Sequence, residues 1–154
     1  MSEPTPSPSD PRPEAAPTVG QEMARVFSAG PGALSTRMGI EVTEATPERV
    51  AASMPVEGNT QPYGLLHGGA SVVLAETVGS IAAALHAGPD RAAVGVDINA
   101  THHRAVRSGS VHAVATPVHR GRSSATYEIV ITDDAGKRVC SSRLTCSLLT
   151  APRG

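Results

Sequence analysis

The stretch Asn59-Thr-Gln-Pro-Tyr-Gly-Leu-Leu-His-Gly-Gly-Ala-Ser-Val-Val-Leu-Ala-Glu-Thr-Val-Gly-Ser80 passes from a turn-rich loop straight into an apolar helix. Gly58, Asn59, Pro62 and Gly64 hold residues 57–66 in a loop. From Gly68 the chain turns to Ala, Val and Leu, and the pattern predicts a helix over 68–86 that stops at Gly88-Pro89. Stepping 100° per residue from Leu74, the residues Val78, Ile81 and Leu85 fall within about 40° of one line, which is the stripe that should face a core. Glu76 lies roughly 200° round from Leu74, in company with Gly69, Val72, Ser80 and Ala83. A solvated helix face normally carries several long polar side chains. This one carries small residues around a single carboxylate, so a second copy of the chain is expected to cover it.

The flanking sequence supplies a sheet for that helix. Two strands are predicted before it, over 38–45 and 49–56, with Thr46-Pro47 between them. Four follow, over 92–103, 110–119, 125–132 and 138–149, with Asp134-Ala-Gly136 as a hairpin turn and the basic His119-Arg-Gly-Arg-Ser123 as a short connection. One sheet wrapped on one helix is the economical packing, an α+β domain over residues 20–150. Within it, residues 21–28 read as a short helix ended by Gly30-Pro31-Gly32. Residues 1–19, rich in Pro, Ser, Glu and Ala, read as a disordered tail.

Composition narrows the function classes. The 154 residues carry a formal net charge of −1, which argues against nucleic acid or an anionic membrane as partner. Aromatic residues make up 2%, so the core is left to Val, Ile, Leu and Ala. The apolar run 72–85 is short for a membrane span and contains a glutamate, so no span is expected. Cys140 and Cys146 are six residues apart on one predicted strand, about 20 Å, beyond disulfide reach. Two reduced thiols suit the cytoplasm.

His67-Gly68-Gly69 stands where loop becomes helix. A helix start offers unpaired N–H groups and partial positive charge, and glycine lets a ligand carbonyl approach the backbone. Such a site can polarise a carbonyl and hold the oxyanion formed on attack. Glu76 is nine residues on, about 13 Å along the axis, too far to serve the same carbonyl within one chain. Two antiparallel copies of the helix would bring Glu76 of one subunit to Gly68 of the other. Ser80, one turn beyond Glu76, is placed to orient a water or the carboxylate. Gln61 and His67 are either loop hydrogen-bonders or substrate-orienting groups. His102 and His103 are adjacent on a strand and point to opposite faces, and no third ligand stands near them in sequence, so no metal is expected.

The run N-T-Q-P-x-G-x-x-H-G-G-A-x-x-x-L-A-E-x-x-G-S resembles the signature of the hotdog-fold acyl-CoA thioesterases of the PaaI-like group, and the likeness continues to Cys146. That group includes bacterial hydroxybenzoyl-CoA, dihydroxynaphthoyl-CoA and enterobactin-proofreading thioesterases. The resemblance implies a hotdog fold and hydrolysis of an acyl-CoA thioester without a further cofactor. It implies Glu76 as nucleophile or general base, the Gly68 N–H as carbonyl polariser, and support from Gln61, His67 and Ser80. It also implies CoA contacts at Gly95, at His102, His103, Arg104 and Ala105, at His119, Arg120, Gly121, Arg122, Ser123 and Ser124, and at Arg143. Arginine there suits phosphate and pyrophosphate. The expected assembly is a homodimer or a dimer of dimers, a homotetramer. Two rivals are a non-catalytic acyl-CoA-binding hotdog module and a hotdog dehydratase. The first would normally lose the carboxylate, and the second places its acid and base at other spacings.

Overall fold

The computed structural model describes Gln21 and residues 30–150. The expected tail and all of the 21–28 helix except Gln21 lie outside the described residues. Along the chain come α1 (Ala33–Arg37), β1 (Glu41–Ala45), β2 (Val50–Pro55), α2 (Gly68–Ala87), β3 (Arg91–His102), β4 (Ser110–Arg120), β5 (Ser124–Asp133) and β6 (Arg138–Thr150). All six expected strands and the long helix are present. The five-residue α1 is an addition, formed just after the glycine-proline stop at 30–32, where the sequence pattern predicts no element.

The strands make one antiparallel sheet in the order β1-β2-β4-β5-β6-β3. Helix α2 carries the chain across the sheet from β2 to the far edge, so among the described residues β3 pairs with β6 alone. Alternation then sorts the side chains. On β5, Ala125, Tyr127, Ile129 and Ile131 are fully buried toward the helix, while Thr126, Glu128, Val130 and Thr132 point outward. Small inward residues on the neighbouring strands, Ala52, Ala113 and Ala115, let α2 approach closely. The Leu74, Val78, Ile81 and Leu85 stripe is at most 4% exposed, as the helical spacing predicts. Each such side chain contributes about 1.5–3 kcal/mol on burial, more than helix propensity supplies.

Two polar ties position this helix. Tyr127, fully buried on β5, directs its hydroxyl at the carbonyls of Pro47 (3.0 Å) and Ala82 (3.1 Å), linking sheet, β1–β2 turn and helix. Nδ1 of His67 accepts the Gly69 N–H at 2.8 Å and caps the helix start. At 20 residues, α2 is long and apolar enough to cross a membrane, so shortness does not exclude a span. Its burial inside the sheet marks it as a core helix.

Candidate active site

Of the first four N–H groups of α2, three are taken by the residue that caps it. Gly69 donates to His67 Nδ1 at 2.8 Å, and Ala70 and Ser71 donate to the His67 carbonyl at 2.9 and 3.3 Å. The Gly68 N–H has no acceptor among the described residues. A single donor at the positive end of a 20-residue helix is thus left for a ligand oxygen. Because Nδ1 accepts, the His67 proton resides on Nε2, making that nitrogen a donor.

The Gly68 N–H opens on a cavity of about 380 Å³ whose lining includes Gln61, Leu66, Ser71, His102, Arg104 and Val139. His103 and Ala105 also line it. A side-chain carbon on Gly68 would stand 2.9 Å from His102 Nε2, so glycine and imidazole share the mouth of the helix. Gln61 Oε1 accepts the Tyr63 N–H at 2.7 Å, which leaves its amide N–H₂ to donate. The loop bearing these groups is anchored by Asn59. Its side-chain amide donates to the carbonyls of Met38 (2.8 Å) and Pro55 (2.9 Å), and its backbone carbonyl accepts the His67 N–H at 2.9 Å.

Glu76 is absent from that cavity. It lies half-buried farther along α2, with its carboxylate against Gly95 of β3, across the sheet register from Cys146. It has no hydrogen-bond or ion-pair partner among the described residues. A partly desolvated, unpaired carboxylate costs stability and marks a candidate for chemistry. Ser80, also half-buried, follows one turn later. The Cys146 thiol is pushed up to about 11, first by burial and then by the neighbouring Glu76 charge. It is therefore a neutral wall, not a nucleophile. The expectation that a partner alone covers the Glu76 face is modified here: Ala83 is fully buried within the chain, and β3 curls round to shield Glu76 on one side.

Apart from Gly95, which lies on β3 against Glu76, the residues read as CoA contacts fall in three places. His102, His103, Arg104 and Ala105 stand together at the cavity. His119, Arg120, Gly121, Arg122, Ser123 and Ser124 form the β4–β5 hairpin beside the C-terminal end of α2, where the Gly121 carbonyl meets His86 Nε2 at 3.0 Å. Arg120 is engaged with Glu48 at 2.6 Å, whereas Arg104 and Arg122 have no ion-pair partner among the described residues. Arg143 is on the outer face of the sheet, opposite Glu128. One chain does not bring the three together. Among the described residues no three His, Cys, Asp or Glu side chains cluster to hold a metal ion. Asn59 was read from sequence only as a loop residue, because its contacts join segments distant in the chain, and Ser71 of the cavity lining received no role.

Residues 63–140 match the model of the thioesterase superfamily. The proofreading thioesterase EntH of Cronobacter turicensis is 48% identical over 119 residues, covering 77% of this chain and 87% of that protein. Among solved structures, thioesterase HI1161 of Haemophilus influenzae superposes with a TM-score of 0.80 at 38% identity, covering 90% of this chain and 95% of that one. A mutant of thioesterase PA1618 from Pseudomonas aeruginosa gives 0.76 at 38% identity, with 89% and 97% covered. A long helix held in a six-stranded antiparallel sheet is thus matched in sequence and in shape by known hydrolases: the chain belongs to the thioesterase superfamily, adopts its hotdog fold, and is a thioester hydrolase.

Proposed function

We propose that this enzyme hydrolyses the thioester of an acyl- or aryl-CoA, or of the same acyl group on a carrier protein, at a site completed by two chains. The observation that carries this is the separation of two unpaired groups along one helix, the Gly68 N–H and the Glu76 carboxylate. Two-fold pairing of β3 edges would run the two α2 helices antiparallel and bring each carboxylate to the other chain's Gly68. The outer β3 edge, without a strand partner among the described residues, supports this, with Val94 45% and Val96 64% exposed on a strand of 12 residues. Long apolar edges left bare invite pairing. The same operation would carry the β4–β5 hairpin of one chain toward the other's His102–Arg104 cavity, uniting basic groups suited to a CoA diphosphate.

In this arrangement the thioester oxygen accepts the Gly68 N–H, and donors from Gln61 or His67 orient the acyl group. Glu76 either attacks the carbonyl carbon, expelling the thiolate and forming an anhydride that water then hydrolyses to free acid and carboxylate, or takes a proton from the attacking water and passes it to the leaving thiolate as the acid is released. Ser80 holds the water. No further cofactor is required, since CoA departs with the substrate. The buried thiols of Cys140 and Cys146, neither in a disulfide, support a reducing, cytoplasmic setting.

Thiol release from a panel of acyl-CoA and acyl-carrier substrates tests the reading. Glu76→Gln should keep its fold and lose roughly 10³-fold or more in turnover. Near-wild-type turnover by that variant would refute the role of Glu76.

A further inference from the structure

The Glu76 carboxylate occupies the place where a side chain on Gly95 would begin. A Cβ built on Gly95 stands 2.5 Å from Glu76 Oε1 and 3.6 Å from its carboxyl carbon, with Leu144 next at 3.7 Å. Ordinary van der Waals distances of a Cβ begin at 3.4 Å, so any other residue at 95 must displace the carboxylate or the strand. Backbone conformation does not demand glycine here, because Gly95 is not among the glycines with positive φ. The space is what matters. Gly95 also begins the irregularity in the β3–β6 register that ends at Asp97, and such bulges commonly re-aim an edge strand beside a functional group. Across that register lies the buried Cys146, which closes the floor under the same carboxylate.

We propose that Gly95 is a positioning residue for the hydrolysis: its missing side chain is the socket that seats the Glu76 carboxylate against β3 and aims it at the reacting carbonyl. The inference rests on the reading of Glu76 as the reacting carboxylate, and it moves Gly95 from CoA binding to the chemistry. If position 95 served only to bind CoA, substitution there would raise KM. A tilted carboxylate lowers kcat, because misplacement of a reacting group by about 1 Å costs on the order of 10²-fold.

The test pairs two substitutions, with kcat and KM measured separately. Gly95→Ala should lower kcat about 100-fold and leave KM within about threefold. Glu76→Asp shortens the acid by one methylene and withdraws it from the socket. Adding Gly95→Ala to Glu76→Asp should then cost less than about threefold further, a strong departure from additivity. Wild-type kcat in Gly95→Ala, an effect confined to KM, or losses that multiply in the double variant would each overturn the proposal. If Gly95→Ala alone does not fold, recovery of folding by added Glu76→Asp supports the socket, and failure of both overturns it. Full activity in Glu76→Gln would sink the underlying assignment instead, whereas an inactive Glu76→Gln beside a fully active Gly95→Ala sinks this inference alone.

Discussion

Asn59 illustrates how a side chain without chemistry can set the chemistry of others. Its amide nitrogen faces two carbonyl oxygens and its own backbone carbonyl holds the His67 N–H, so α1, β2 and the helix start meet at one residue that is 8% exposed. Asn59→Ala should destabilise the protein by about 1–3 kcal/mol in urea unfolding, the usual range for buried groups left unpaired. Asn59→Asp should cost more despite equal size, since it turns an oxygen toward those carbonyls. A neutral Asn59→Asp would contradict this role. At this scale the sequence reached furthest where the proposed chemistry depends on spacing within one helix, as for Gly68, Glu76 and Ser80. It was silent where function depends on packing across elements. Nothing in the local pattern says that Gly95 faces Glu76, or that Asn59 reaches Met38 across 21 positions.

The elements themselves were largely legible. Helix α2 declares itself by its 3.6-residue apolar stripe, and the strands by alternation and turn residues. Helix α1 was not legible, for five residues between Gly32 and Gly39 give too little periodicity to read. The junction of α2 with the sheet offers its own test through Tyr127. Burial pushes this phenol up from its ordinary 10.0 to about 12. The folded state therefore favours the neutral form. Its contribution is complete below pH 10.0 and is lost as the pH rises from there to about 12. In an alkaline titration followed by tyrosinate absorbance and circular dichroism, Tyr127 should ionise together with loss of helix. Tyr127→Phe should remove that step. Ionisation of Tyr127 with the helix intact would contradict the packing described.

For the molecule as a whole, the decisive feature is that one chain holds the Gly68 N–H and the Glu76 carboxylate, the two groups of the proposed shared site, apart on one helix. The Gly68 N–H opens on the cavity that His102 and Arg104 line, while Glu76 sits elsewhere on the same helix beside β3. Spacing alone foretells this division, since nine residues of helix separate His67 from Glu76. That β3 would share in covering the carboxylate was hidden, because sheet order is fixed by long-range pairing. Mixing two inactive variants tests the shared site most directly. Glu76→Gln removes the acid. Gly68→Pro removes the N–H at a first helical position that accepts proline, after a His67 already extended at φ −68° and ψ 130°. The exposed His102 ring need only swing aside. Each variant alone should be nearly inactive. When they are unfolded and refolded together, half the random dimers are mixed and each holds one intact site, so about a quarter of wild-type turnover should return. A mixture no more active than its separate components, in samples shown to contain mixed dimers, would contradict a site built from two chains.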